Sequence, residues 1–401
     1  VHIAKLSLLS LTLLFTACTG TTDPDGGVDD GDAGVIDAGL DDAGIADAGP
    51  GDAGTDAGGE PELELPVDAA WTKLPTVAFS GKQDDVHFVD ENHGWYANGD
   101  GLLYRTTNGG DAWEEVLSMP GTYWRAIGFV DENVGFLGNI GTDYFPGVTD
   151  ETPLYKTTNG GTTVEPVVTD GPAVKGLCAV DVQRVEFINA GVLEERVMIH
   201  AGGRVGGPAW LLRSLDGGET FSTIDLNDDM AMITDVRFLS ETVGFVVGGS
   251  SANVAASNAV ILKTIDGGVT WTEVYRSERP YELIWKISFP DLDHGFATVQ
   301  SYDTANTQQR IVSSTNGGAL WRERNLVVNA NAREFGIGFI SSTTGWVGTA
   351  AGGFQTIDGG ASWTPVAFGN VVNKIRIVRA LAGGFVAFAI GKDLYKLDAR
   401  P

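Results

Sequence analysis

Four basic side chains, Arg125, Arg184, Lys286 and Lys374, each stand one or two places ahead of a Val/Ile-x-Phe triplet or its Ile-x-Ile variant. Trp285 stands beside Lys286 ahead of the same triplet, Phe335 holds the equivalent place in another copy, and Trp124 adjoins Arg125. Long cations beside large rings are the residue types that dominate binding hot spots, so the chemistry this set offers is recognition of a partner. Tyr144 and Phe145, in the insertion Thr142 to Asp150, add a second contact surface on a long loop. The paired carboxylates Asp84-Asp85 and Asp228-Asp229 are the acid/base alternative, since a glycosidase works with two such groups. Neighbours on a strand point to opposite faces, however, so each pair reads first as solvated.

These residues must be held by the repeat around them. The box Thr264-Ile265-Asp266-Gly267-Gly268-Val269-Thr270-Trp271 recurs from Thr106, Thr157, Ser214, Ser314 and Thr356, always with Asp or Asn third and Gly-Gly next. A short polar side chain that bonds its own backbone, followed by glycines free to adopt positive φ, is a hairpin device. Asn108, Asn159 and Asn316 replace Asp in half of the copies, so the box requires no charge, and Val164 even replaces the aromatic. Each unit reads as a Val/Ile-x-Phe strand, a Gly-aromatic strand, a third strand, the box, and a fourth strand. First strands fall at Val86-His87-Phe88, Ile127-Gly128-Phe129, Val185-Glu186-Phe187, Val236-Arg237-Phe238, Ile287-Ser288-Phe289, Ile337-Gly338-Phe339 and Ile375-Arg376-Ile377, the last followed by Gly384-Phe385.

There are seven first strands and six boxes. The chain stops at Pro401 where a box would follow Leu394-Tyr395-Lys396, while Trp71-Thr72-Lys73-Leu74 repeats the fourth strand seen at Trp271-Thr272-Glu273-Val274. The expected fold is therefore all-β: a seven-bladed β-propeller of four-stranded antiparallel blades over residues 67–401, its ring closed by the N-terminal strand joining the last blade. The basic and aromatic residues ahead of each first strand are then expected around the mouth of the central channel. Reversing Arg125, Lys286 and Lys374 to Glu is expected to abolish partner capture without loss of stability.

The boxes resemble the Asp-box, or BNR, repeat of sialidases. Over residues 67–401 the Phe-x-Asp-x-x-x-Gly-Trp/Phe and Thr-x-Asp/Asn-Gly-Gly-x-x-Trp units are similar to the photosystem II stability and assembly factor family. That resemblance implies a seven-bladed, non-enzymatic assembly factor that binds a partner protein partly through surface arginines. The sialidase resemblance would imply an arginine triad, a Tyr/Glu pair and an Arg-Ile-Pro motif; no Arg-Ile-Pro occurs. His87, His93, His200 and His294 are scattered over different units, with His93 and His294 at one turn position, so neither a metal nor a cofactor is expected. Gly202-Gly203-Arg204-Val205-Gly206-Gly207 lies between strands with no helix to follow and reads as a turn, not a phosphate loop.

The amino-terminal part has another character. Leu6 to Ala17 is an apolar run behind Lys5, too short to span a bilayer, and reads as a signal peptide over residues 1–17. Its end, Leu14-Phe15-Thr16-Ala17-Cys18, resembles a bacterial lipobox, which implies lipidation of Cys18 and an exported lipoprotein of the outer membrane or cell surface. Residues 18–66 form an acidic Asp-Ala-Gly tether that cannot bury a core. Of the net charge of −27, fourteen negative charges lie between residues 19 and 66 and are offset only by Lys5, so residues 67–401 carry −14. An acidic domain has no general attraction for nucleic acid. Cys178 reads as a small buried apolar residue. The function expected is a non-catalytic, lipid-anchored monomer that binds a protein partner, with a glycan as the other ligand class, membrane contact through the anchor only, and a glycoside hydrolase as the alternative.

Overall fold

The computed structural model describes residues 62–189, 192–333 and 335–401. The expected signal segment, Cys18 and the acidic run as far as residue 61 lie outside the described residues. Glu60–Pro401 is one compact unit. Its described residues form strands and a single 3-10 turn, Val254–Ala256. No helix of it is long and apolar enough to cross a membrane.

The strands make seven sheets, numbered here one to seven by their first strands: Gln83–Phe88, Trp124–Phe129, Ala179–Asn189, Met232–Phe238, Glu282–Ser288, Gly336–Phe339 and Lys374–Arg379. Each sheet is an antiparallel meander of four strands; the third gains a fifth, Thr169–Asp170, running parallel to Phe221–Asp225. Sheet seven takes its outer strand from the other end of the chain, Trp71–Lys73 pairing with Leu394–Ala399 so that Trp71 faces Leu397. First strands pack on one another in order, one on two through to six on seven, and seven on one. The packed body also begins ahead of residue 67, since Leu63 is buried among Trp346, Phe368 and Phe385.

The Gly-aromatic dipeptides explain how the sheets meet. Gly94, Gly135, Gly244 and Gly345 sit under the Phe that ends the preceding strand, and a Cβ on Gly94 would come within 2.5 Å of the Phe88 ring. The aromatic after the Gly then stacks on the corresponding ring of the next sheet: Trp95 on Phe129 at 3.7 Å, and Phe296 on Phe339 at 3.6 Å. Rings stacked across a boundary add to their buried area. This pairing corrects two registers. In sheet seven the hydroxyl position is taken by Leu397, opposite Ala387, so Ala387-Phe388 rather than Gly384-Phe385 is the equivalent dipeptide, and Phe388 stacks on Phe88. In sheet three Ser214 pairs with Ile199, which pairs with Val182, so Val180-Asp181-Val182 is the first-strand triplet and Val185 lies on an extension of the hairpin. Alternation of period two continues through that extension, so nothing local marks where the other sheets would stop.

Within the box the hydroxyl and the carboxylate do the binding. Thr264 donates to Asp266 (2.8 Å) and accepts from the Gly268 N–H (2.9 Å), while Asp266 accepts from Thr270 N–H and O–H at 2.9 and 2.6 Å. Gly267 and Gly268 have φ of +73° and +83°. Asn108 accepts from the Ala112 N–H at 3.0 Å in the same way. The box also reaches the preceding sheet: Lys396, Lys156, Arg213 and Lys263 donate to the carbonyls of Gly109, Gly218, Gly267 and Gly317 at 3.1, 3.1, 2.8 and 2.7 Å.

Acid should therefore loosen the turns. The Thr270 hydroxyl and then its N–H hold Asp266 at about 2; Ser362 does the same for Asp358. At Asp216 burial pushes upward but the donors, led by Thr220, win and hold it at about 2. A carboxylate depressed in the fold contributes stability that is present above its unfolded value near 3.8 and is lost as pH falls toward 2. A chain with Asp216, Asp266 and Asp358 all changed to Asn is expected to show a shallower fall in urea midpoint between pH 4 and 2 than the parent; parallel curves would refute the assignment.

Candidate functional site

The first strands are irregular at the end where they begin. The pairing register shifts between Gln83 and Asp85, Trp124 and Ala126, Ile233 and Asp235, and Ile284 and Ile287. A bulge inserts an unpaired residue and re-aims its side chain. The residues so released are Asp84, Arg125, Thr234, and Trp285 with Lys286.

They converge with Lys374 in one buried ion network. Arg125 pairs closely with Asp84, which also has Lys82 at 3.7 Å. Lys286 lies 3.4 Å from Asp235, and Lys374 bridges Asp235 at 3.8 Å and Asp85 at 3.9 Å. Two of the carboxylates bolt sheets together as well: Asp85 accepts the Ile127 N–H at 2.9 Å and Asp235 the Ile287 N–H at 3.1 Å. Burial would raise Asp235, but Lys286, Lys374 and that N–H hold it below the ordinary carboxylate range. Burial, reinforced by the Lys374 and Arg125 cations, lowers Lys286 to about 8.

Around the network runs an aromatic and arginine ladder. The Arg125 guanidinium lies 5.8 Å from the Trp285 ring centre, the Trp285 indole donates to the Tyr302 hydroxyl (3.1 Å), and Arg333 lies 5.6 Å from the Tyr302 ring. On the same face, at the ends of the second and third strands of sheet two, Phe145 stacks on Tyr123 at 4.5 Å and Tyr144 is 38% exposed with Arg204 6.0 Å away.

The expected site residues thus separate. Trp285, Lys286, Lys374 and Arg125 come together, though Arg125 and Lys286 are buried, Lys374 is largely covered, and all three cations are paired with carboxylates. Trp124 has no exposed surface and packs edge-on against Tyr155, and Phe335 is buried with Leu326 and Ile337. A ring enclosed by its own core offers a partner nothing to touch. Arg184 lies at the other end of the first strands, on the hairpin extension, where it donates to the Val130 carbonyl at 2.7 Å and pairs with Glu195 at 3.0 Å. Tyr302, Arg333, Tyr123 and Arg204 were missed because they lie on loops outside the repeat, and no spacing links them.

Beyond the network, a cavity of about 150 Å³ continues between the first strands of sheets three to seven, walled by Asp181, Arg237, Ser288, Gly338 and Arg376. Asp181 accepts the Phe238 N–H at 2.8 Å and has Arg237 at 3.2 Å. His87 holds the same strand position in sheet one. Burial, then the Arg376, Lys374 and Arg237 cations, keep its imidazole neutral.

Two other groupings bear on chemistry. Asp90, His93 and Glu132 bring three ligand-type atoms within 4.8 Å of one another. Asp90 is already occupied in closing its turn, accepting the Asn92 and His93 N–H groups at 2.7 Å each, and Asp291 with His294 repeats the motif. Tyr275 donates to Glu323 (2.8 Å) beside Arg279 and Arg310, a sialidase-like inventory. Here Arg279 and Arg310 are committed to Glu282 at 2.7 and 3.3 Å, and burial followed by Glu323 pushes the phenol above its ordinary value, away from a nucleophile.

No protein-family model and no curated protein sequence matches the chain. Solved structures do. YCF48 bound to D1 peptide is similar with a TM-score of 0.55 at 16% identity, covering 85% of this chain and 99% of that one. YCF48 from Cyanidioschyzon merolae gives 0.51 at 15%, covering 82% and 99%. An ancestral GH74 enzyme gives 0.56 at 15%, covering 82% of this chain and 46% of that one. These likenesses show a β-propeller fold.

Proposed function

We propose that the chain is a closed seven-bladed propeller, built on Asp-box repeats, that binds a protein partner across the face bearing the Arg125–Trp285–Tyr302–Arg333 ladder and the Tyr144–Phe145 loop. The ladder carries the reading: two rings, Trp285 and Tyr302, stand between two guanidinium groups, Arg125 and Arg333, drawn from three sheets, which suits an extended segment with acidic and apolar residues. The buried network beneath it, Arg125 included, serves as a floor that supports Trp285 and Tyr302, and Tyr302, Arg333 and the Tyr144–Phe145 loop supply the contact surface. The likeness to YCF48 bound to D1 peptide supports a peptide-binding propeller. Cys18, lipidated, and the acidic tether would place this face away from a bacterial outer membrane or cell surface. Binding is as a monomer, with no nucleic acid and no cofactor.

The test is capture by cross-linking of a partner from the native envelope fraction. Tyr144→Ala with Arg333→Glu is expected to weaken capture by about thirtyfold or more, the loss of one hot spot, with the melting temperature retained. Arg322→Glu, on an outer strand, is expected to leave capture intact, and Cys18→Ala to move the protein out of the membrane fraction. Equal capture by the Tyr144/Arg333 variant and the parent would reject this face. A glycoside hydrolase is the second reading, favoured by the likeness to a GH74 enzyme. Turnover of sialosides or β-glucans would support it, although the converging carboxylates Asp84, Asp85 and Asp235 are each engaged by cations.

A further inference from the structure

The cavity beyond the ion network has the opposite charge from the domain that contains it. Its wall carries Arg237, Lys286, Lys374 and Arg376 against Asp181 and Asp235. Asp85, next to the wall, offsets part of the Lys374 charge. Arg376 is the cation left over: among the described residues it meets no carboxylate, and it donates from Nε to the Val86 carbonyl at 3.2 Å. Arg376 is half-buried, and the low-dielectric wall on one side of it leaves its charge incompletely screened, which favours an anion beside it. One more group on the wall can donate: the Ser288 hydroxyl oxygen accepts the Phe339 N–H at 3.2 Å, keeping its own proton free.

We propose that this cavity binds one small tetrahedral oxyanion, of the sulfate or phosphate class, held by Arg376 and Arg237 with Ser288 as a neutral donor. The cavity of about 150 Å³ has room for an ion of this size between Arg376, Arg237 and Ser288. Gly338 lets sheets six and seven approach closely along this wall, since a Cβ there would come within 2.6 Å of Ile375. The Arg125–Asp84 pair and Trp285 lie over the end nearer the ladder, so the ion enters from the end that carries the boxed turns. The site is independent of the partner-binding face.

The experiment is calorimetric titration of the full chain, freed of oxyanions by dialysis into chloride, with sodium sulfate and separately with inorganic phosphate at constant ionic strength. Saturable binding of one ion per chain is expected for at least one of them, and the two arms say which. Arg376→Gln is expected to weaken it about tenfold or more, the loss of one charged hydrogen-bonding group, while Arg376→Lys retains part of the affinity. Melting curves guard against the general stabilisation that both salts give by exclusion. A rise in melting temperature of the same size in parent and Arg376→Gln chains, or no saturable heat with either anion in the parent, would overturn the proposal. If Arg376→Gln does not fold, Ser288→Ala replaces it with the same expectation in direction.

Discussion

Replacing Asp235 by Ala is expected to cost about 3–5 kcal/mol, the penalty for stranding buried charge. Asp235 stands 3.4 Å from Lys286 and 3.8 Å from Lys374, and its other oxygen takes the Ile287 N–H of the next sheet. Its removal leaves two ammonium groups facing each other and a main-chain donor unmet. The pH dependence gives a second signature. Lys286 titrates near 8 in the fold against about 10.5 unfolded, so the unfolded chain binds the extra proton and stability rises with pH between those values. Without Asp235 the Lys286 value falls further, and the rise should begin below pH 8. Urea melts of parent and variant from pH 6 to 10 measure both effects. A variant within about 1 kcal/mol of the parent, the scale of an exposed pair, would mean that the network is solvated. The same geometry corrects the expectation that reversing Arg125, Lys286 and Lys374 to Glu spares stability: each new carboxylate would sit against Asp84, Asp85 or Asp235.

Trp95→Ala should be as damaging. The indole is 1% exposed, stacks on Phe129 at 3.7 Å and donates to the Gly160 carbonyl at 3.0 Å, so it ties sheet one to sheet two twice. A large ring removed from a packed core costs about 3–5 kcal/mol. Trp95→Phe keeps the stack and loses the hydrogen bond, about 1 kcal/mol, and Phe already fills this place at Phe136, Phe245 and Phe296. Chemical denaturation of the two variants separates the contributions. Equal losses would assign the stability to the hydrogen bond and not to the ring.

His200 shows the same position in disguise. It was one of four scattered histidines in the sequence, yet it occupies the place of Trp95 in sheet three and stacks on Phe238 at 3.5 Å. Burial lowers its pKa to about 3, so it acts as a neutral ring. A position can be read from its spacing; the use made of an unusual residue there depends on what packs over it.

The repeat itself was legible because its signals are local. Six boxes, the Gly-aromatic dipeptides and the split first and last strands announce hairpins, sheet order and the pairing of Trp71–Lys73 with Leu394–Ala399, since turn chemistry and alternation are set by residues a few places apart. The mouth was legible only in position. Bulges at Asp84, Arg125, Thr234 and Trp285–Lys286 leave no mark in a pattern of alternating residues, and they decide which side chains meet. The register of sheet three was hidden for the same reason, and Arg184 went to the wrong end with it. Sequence alone thus determined the units and where recognition residues cluster. Tertiary structure decided which of them are floor and which are surface, because burial and ion pairing arise between sheets tens to hundreds of residues apart in the chain.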